Sequence, residues 1–534
     1  MFKFISSFFL ASFFVSTLHA QVPEWIWHPN GGAKPADNEV RFFRQTFDVP
    51  TKFEKAVLTA DGDDEIEVWI NGEKALSVNG WKEAKSADVS GKIKKGGNVI
   101  SIRGRNATGD AAVLARLEID LPKRQKQWVV TDAHWKASSV EEKNWTEKNF
   151  AEGKNWVDAS SRGKVGMQPW GDVMQSKSAT PVADLTLAPG FTAKLLWSGG
   201  AGEGSWICMT TDDKGRLIIS PQQDDLLMYR VTLSRSGKIA KTEKIPAPVH
   251  QAMGLLYAHD SLYVNGHGPS GTGLYRLVDE NKNDQFETNE VHFLKKIPGE
   301  GEHGYHGLVL GPDKLIYMIN GNHTKLPEGI SPTSPHKNYA EDQLLQRQWD
   351  PGGHAVGILA PGGHILRFDK DGKNWELMLG GFRNAYDFDF NPAGEIFAFD
   401  SDMEWDWGLP WYRPTRIIHA VIGGEYGWRS GSGKFPAYYA DTLPAAAHIG
   451  LGSPTGVKFG TKSNFPEKYK GALFAMDWSY GRIFAVHLLP DGATYKGSPE
   501  VFVQGKPLNV TDMDFGKDGA MYFITGGRGT QSGL

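Results

Sequence analysis

The chain has 534 residues, a formal net charge of −4 and one cysteine, Cys208. A single thiol excludes an internal disulfide framework and a Cys-x-x-Cys-His haem attachment, so stability has to come from core burial. The mixed, nearly balanced charge gives no footprint for nucleic acid or an anionic membrane surface.

Aromatics make up 12% of the chain and it carries 63 glycines. With little helical periodicity, this composition reads as an all-β protein of short strands and tight turns. Cys208 reads as a small buried hydrophobe rather than a nucleophile.

In chain order, Lys3, the apolar run Phe4–Leu18 and the Leu18-His19-Ala20 step before Gln21 form a cleavable export signal over residues 1–20. The mature protein is therefore expected in the periplasm or outside the cell. No later apolar run is long enough to span a bilayer.

Residues 21–176 alternate apolar and polar positions in short bursts: Arg41–Phe47, Ala56–Ala60, Glu65–Ile70, Asn98–Gly104 and Val113–Ile119. Turn signals at Asp61-Gly62, Asn71-Gly72 and Lys95-Gly96-Gly97 separate them, and the pattern predicts a β-sandwich. Residues 177–184, KSATPVAD, read as a linker.

From 185 to 534 one phrase recurs: a turn with Asp, Gly or Pro, an aromatic-rich strand of about five residues, then Gly, Asn or Asp. It occurs at Asp212–Ser220, Ala258–Gly268, Gly311–Asn322, Asn391–Asp402, Tyr469–Trp478 and Gly516–Gly527. Six copies predict a six-bladed β-propeller, since each blade needs neighbours to bury both faces. The stretch Leu185–Gly199 is expected to supply a strand that closes the ring with the last blade.

Loops at one rim of a propeller converge from all blades, so distant residues can share a site. The candidates are His303, His306, Arg383, Asn384, Asp400, Asp402, Glu404, Asp406, Arg482 and Arg528. Histidine supplies a base near neutral pH, and arginine offers a planar fork of donors to carboxylate or quinone oxygens. The crowded carboxylates Asp402, Glu404 and Asp406 call for Ca²⁺ or an arginine partner.

Trp405, Trp407, Trp411 and Tyr412 read equally as a sugar-stacking platform or as packing between blades. A second candidate metal loop is Asp279–Glu290. Asp279, Asn281, Asn283, Glu287 and Glu290 fall at calcium-loop positions, while Asp284 stands where such loops need glycine. A plain polar hairpin tip is the alternative there.

The N-terminal motifs WIWHP (Trp25–Pro29), DGDDEIEVWING (Asp61–Gly72), GGNVISIRGRN (Gly96–Asn106) and PWGD (Pro169–Asp172) resemble galactose-binding-like sandwiches of carbohydrate-active proteins. The remainder resembles the glucose/sorbosone dehydrogenase superfamily, and more closely the dehydrogenase-like propellers of planctomycete-type bacteria. The motifs that carry this are EHGYHGLVLGPD (Glu302–Asp313), GFRNAYDFDFNPAGEIF (Gly381–Phe397), DSDMEWDWGLPWYRPTRI (Asp400–Ile417), GGEYGWRSG (Gly423–Gly431) and GGRGTQSGL (Gly526–Leu534).

The resemblance implies pyrroloquinoline quinone (PQQ) and Ca²⁺ as cofactors, with a carbohydrate or polyol hydroxyl as substrate. It implies His303 as the catalytic base and Arg383 and Asn384 as catalytic and cofactor contacts. Asp402, Glu404 and Asp406 correspond to its ion-holding loop, while His306, Arg482 and Arg528 are expected as further cofactor contacts from their place among the rim candidates rather than from the resemblance.

Where the superfamily sets basic side chains against the quinone carboxylates, this chain has Ser479, Asn509 and Thr511. Electrons would leave through a separate acceptor such as a cytochrome c. The chain stops at Leu534 within a motif that runs on into another strand, so either the last blade is completed from the N-terminal side or the sequence is a fragment. A non-catalytic glycan-binding propeller and a metal-dependent hydrolase or lactonase are the alternative functions.

Overall fold

The computed structural model describes residues 22–31, 35–50, 52–81, 84–122, 125–171, 173–174, 178–200, 202–224, 226–299, 301–341, 355–401, 414–430, 433–434, 440 and 442–534. The chain divides into two compact units, Met1–Ser176 and Lys177–Leu534. No helix among the described residues is long and apolar enough to cross a membrane.

The first unit is built from two six-stranded antiparallel sheets. One carries Glu24–Trp27, Lys55–Asp63 and Ala112–Leu121; the other carries Val40–Val49, Glu65–Ile70 and Gly96–Arg105. Alternation places Ile26, Trp27, Phe43, Leu58, Val68, Ile102 and Leu117 in one core.

Asn71 and Gly72 take positive φ values of 51° and 84° between two paired strands, as a tight hairpin requires. Asp61-Gly62, expected as a turn, instead lies inside the strand Lys55–Asp63. Gly62 is needed there because a Cβ would sit 2.0 Å from the Ile66 side chain. Trp170 stacks on Trp25 with centroids 4.7 Å apart, and its indole N–H donates to Asp63 at 2.8 Å.

Among the described residues the second unit holds six antiparallel sheets in a ring, together with a separate two-stranded pairing of Trp428–Arg429 with Gly433–Lys434. The innermost strands of blades 1 to 6 are Trp206–Thr211, His250–Ala258, Tyr305–Leu310, Phe388–Phe390, Pro454–Phe459 and Val510–Phe515. Each touches the next, and the sixth touches the first, so the ring is closed. The six recurrent phrases are the second strands of the six blades.

The stretch Leu185–Gly199 contributes twice. Thr186–Leu187 adds an edge strand to blade 5. The N–H of Leu196 donates to Leu534 O and that of Leu534 to Trp197 O, both at 2.8 Å, completing blade 6 with strands from both ends of the unit. Trp197 packs on Trp206 with centroids 4.4 Å apart, which buries the seam.

Two Asp-x-Asp strands lock neighbouring blades. Asp387 and Asp389 accept main-chain N–H groups of Val457 and Phe459 at 3.0 and 2.8 Å. Asp512 and Asp514 do the same for Met209 and Thr211 at 2.8 and 2.9 Å. The innermost strands of adjacent blades share no ladder, so these carboxylates satisfy N–H groups that sheet pairing leaves open.

Candidate functional site

The innermost strands all start at one rim, and the loops between second and third strands return to it. His303 precedes the innermost strand of blade 3, Arg383 and Asn384 precede that of blade 4, and Asp400 ends the second strand of blade 4. Arg482 opens the third strand of blade 5, and Arg528 follows the second strand of blade 6. Topology alone therefore brings these residues to the same face.

Asn322 joins the two central elements. Its side-chain oxygen lies 2.6 Å from His303 Nδ1, and its main-chain N–H donates to Arg383 O at 2.9 Å. With Nδ1–H donating to the amide oxygen, the basic lone pair of His303 is on Nε2. The ring is 4% exposed and lies 4.8 Å from that of His323. Gly321 permits this close approach, because a Cβ there would stand 2.5 Å from His303 O and 2.6 Å from Asn384 Oδ1.

Arg383 is 7% exposed, yet one hydrogen bond to Ser401 Oγ at 3.1 Å is its only side-chain partner among the described residues. No carboxylate lies within ion-pair distance of it among those residues. Asp400, fully buried next to it, instead accepts the main-chain N–H groups of Arg383, Asn384 and Ser401 at 2.9–3.3 Å and lies 3.8 Å from Arg416. Asn384 Oδ1 is buried without a hydrogen-bond partner among the described residues. A buried guanidinium with open donors beside an orphaned acceptor is costly unless a ligand completes it.

His306 does not join them as a ligand contact. It is fully buried, with Nδ1 and Nε2 each 3.0 Å from a main-chain carbonyl, those of Ala385 and Glu302. Burial pushes the ring down to about 4, against the pull of the two carbonyls towards the protonated form. Its place is that of a brace between the His303 loop and the Arg383-Asn384 loop.

Arg482 is engaged by Asp477 at 2.8 Å and by Leu451 O at 2.8 Å, and stacks on Tyr480 and Phe484. Arg528 pairs with Glu302, joining loops of blades 3 and 6, and lies 5.3 Å from the Trp478 ring centroid.

Asp402, Glu404 and Asp406 lie outside the described residues, as do Trp405, Trp407, Trp411 and Tyr412. In the 279–290 loop, the expected ion-binding oxygens serve the hairpin itself. Asp279 accepts the N–H groups of Asn283 and Asp284 at 3.0 and 2.9 Å, and Asn281 Oδ1 also faces Asn283 N–H at 3.0 Å. Asn283 Oδ1 accepts Gln285 N–H at 2.9 Å, and the fully buried Glu290 accepts those of Glu280, Asn281 and Glu287 at 2.9–3.2 Å.

Asp284 takes the glycine position with φ 66° and turns its carboxylate to Arg216 and Lys214, which hold it far below the usual carboxylate range. Among the described residues no three His, Cys, Asp or Glu side chains converge as a metal cluster.

A cavity of about 430 Å³ occupies the channel away from this rim, lined by Cys208, Asp387, Asp389, Lys458, Asp512 and Asp514 among others. Burial raises Asp387 and Asp512 above the carboxylate range and pushes the Cys208 thiol up, so the thiol stays protonated. For Lys458 burial acts downward, but the four surrounding carboxylates outweigh it and raise the ammonium.

Sequence reasoning missed Asn322 and Ser401. Both follow the second strand of their blade, in the position where Asp400–Asp402 had drawn notice for charge alone.

No family model matches the sequence. A 164-residue stretch is 29% identical to an Alpha-L-rhamnosidase of Streptomyces avermitilis, covering 29% of this chain and 16% of that protein's length. Among solved structures, the chain is similar to the PQQ-bound form of Aldose Sugar Dehydrogenase from Streptomyces coelicolor, at 17% identity and a TM-score of 0.44 over 66% of this chain and 98% of that one. It is also similar to the calcium structure of a Trichoderma reesei Carbohydrate-Active Enzymes Family AA12 protein, at 12% and 0.48 over 67% and 98%. A Pleurotus ostreatus lectin matches 28% of this chain and 44% of its own at 26% identity and a TM-score of 0.26. The architecture stands on the sheet pairings above, independently of these likenesses.

Proposed function

We propose that the chain is an exported carbohydrate or polyol oxidoreductase whose site lies at the rim of blades 3 and 4. The observation that carries this reading is the corner where His303 and Arg383 share Asn322, with the guanidinium buried and, among the described residues, open in most of its donors and without a carboxylate partner. An imidazole base beside an anion-seeking fork suits removal of a hydroxyl proton next to an acidic, oxygen-rich cofactor.

The corner fits such a group at one end. Arg383 offers a fork for one carboxylate or a pair of quinone oxygens, and Asn384 Oδ1 offers an acceptor for a ligand N–H or O–H. Arg482 and Arg528 are already engaged by Asp477 and Glu302, so among the described candidate arginines a tricarboxylate quinone such as PQQ finds Arg383 alone uncommitted to a carboxylate. Such a quinone, when bound, supplies the hydride acceptor.

The chain's own part is to hold and deprotonate. His303 Nε2 takes the proton of the sugar hydroxyl while Asn322 fixes its tautomer. His306 keeps the two rim loops in register. Electrons pass to a separate acceptor, and Ca²⁺ would accompany the cofactor in the rim loops.

Purified protein mixed with PQQ and Ca²⁺ should bind the quinone stoichiometrically, and the bound chromophore should be reduced by a member of a sugar and polyol panel. Retention on glycans without turnover would move the assignment to a glycan-binding protein. Ester cleavage abolished by chelator would move it to a hydrolase or lactonase.

A further inference from the structure

Two more histidines stand at the same rim, on blade 2, and neither takes part in the chemistry above. His250 opens the innermost strand and His267 lies opposite it on the second strand, the two being register partners. A bulge between His250 and Gly254, with Gln251 at φ 51°, turns this end of the strand away from the regular ladder. The rings are 5.7 Å apart at their centroids, tilted by 35°, and half-buried. His267 Nδ1 lies 3.2 Å from Thr272 Oγ1, which fixes the ring and leaves Nε2 without a partner among the described residues. The His250 ring has no hydrogen-bond partner among them.

We propose that His250 and His267 form a two-histidine site for a divalent transition metal ion. A metal–nitrogen bond of about 2.0–2.1 Å plus the ring radius puts an ion about 3.2 Å from each centroid, so one ion serves two imidazoles up to about 6.4 Å apart. The observed 5.7 Å falls inside that limit without movement of the strands. Imidazole nitrogen selects Zn²⁺, Cu²⁺, Ni²⁺ or Co²⁺ over Ca²⁺ and Mg²⁺, which take oxygen.

Asp224, exposed on the rim loop of blade 1, acts electrostatically on His250, raising its proton affinity against the lowering by burial and by His267. Its carboxylate adds negative charge near the pair. With two protein ligands the ion keeps positions for water or a hydroxyl-bearing molecule. The site adjoins the His303 corner, since Tyr305 Oη donates to Gln251 O at 3.3 Å.

The test is titration of the purified full chain with Co²⁺ alone, read by visible absorption, and with Cu²⁺, read by electron paramagnetic resonance. One saturable Co²⁺ equivalent is expected, unaffected by excess Ca²⁺, with a Cu²⁺ spectrum showing two imidazole nitrogens. His250→Ala and His267→Ala should each weaken Co²⁺ binding by roughly 10-fold or more. His292→Ala, at an exposed histidine that pairs with Glu280, should leave it unchanged. Absence of saturable binding, a Cu²⁺ spectrum with one nitrogen or none, or full binding by the His250→Ala/His267→Ala double variant would each overturn the proposal. The copper spectrum needs no variant, so a misfolded mutant does not blunt the test.

Discussion

Two parts of the propeller hold ionisable side chains in tight groups, and they use them in opposite ways. In the channel, Asp387, Asp389, Asp512 and Asp514 each spend an oxygen on an N–H of the next blade, and Lys458 sits among their charges. At the rim, Arg383 is nearly as buried, yet among the described residues most of its donors are open and Asn384 Oδ1 meets no donor. Charge density does not separate the two; hydrogen-bond accounting does. A closed set of partners holds blades together, whereas an open set is where the proposed ligand would be held.

The largest effect that sharpens this contrast is on turnover. His303→Ala should lower sugar-dependent dye reduction by about 10²- to 10⁴-fold, the usual worth of a general base, while costing only about 1–3 kcal/mol of stability for the hydrogen bond to Asn322 that it removes. Full activity in that variant removes the imidazole from the reaction.

His306→Phe should cost about 1–3 kcal/mol in denaturant titrations, because the neutral ring's single N–H serves one of two buried main-chain carbonyls and that carbonyl loses its donor. Turnover should fall with it as the rim loops lose register. Unchanged stability would end its role as a brace.

The six second strands were legible because each repeats a turn and an aromatic strand, and the ring and its closing stretch follow from that count. Asn71-Gly72 was legible for the same local reason. Asp61-Gly62 was not, since the need for glycine there comes from Ile66 across a bend in the strand, which no local pattern records. At the site, His303, Arg383 and Asn384 stood out by residue type, but Asn322 did not, because its two bonds join it to loops 19 and 61 residues away in sequence. His306 misled for the converse reason: an imidazole beside glycines looks the same in sequence whether its nitrogens face a ligand or two carbonyls. The oxygens of Asp279–Glu290 could not be sorted by sequence either, since an ion-binding loop and a polar hairpin that satisfies its own N–H groups use the same residues.

On the channel side, burial raises Asp387 to about 8 and Asp512 to about 6. A carboxyl raised on folding keeps a proton that the unfolded chain has lost. Its contribution is therefore greatest below the unfolded value of about 3.9 and declines as pH climbs through the folded value. Melting temperature should fall between about pH 4 and pH 8, and Asp387→Asn should flatten that slope while costing about 1–3 kcal/mol for the N–H it leaves poorly paired. An unaltered slope would show that Asp387 is ionised throughout. The smallest effect belongs to Arg528→Ala, which breaks an exposed pair with Glu302 and should change stability by less than about 1 kcal/mol.

The most direct test of the open rim is calorimetric titration of PQQ, with Ca²⁺ present, into the wild-type chain and Arg383→Ala. Loss of charge-assisted hydrogen bonds worth about 1.5–3 kcal/mol predicts affinity weaker by roughly 10- to 150-fold in the variant. Equal affinity in the two proteins, or no binding to the wild type, would contradict the assignment of this corner as the anion-holding half of the site.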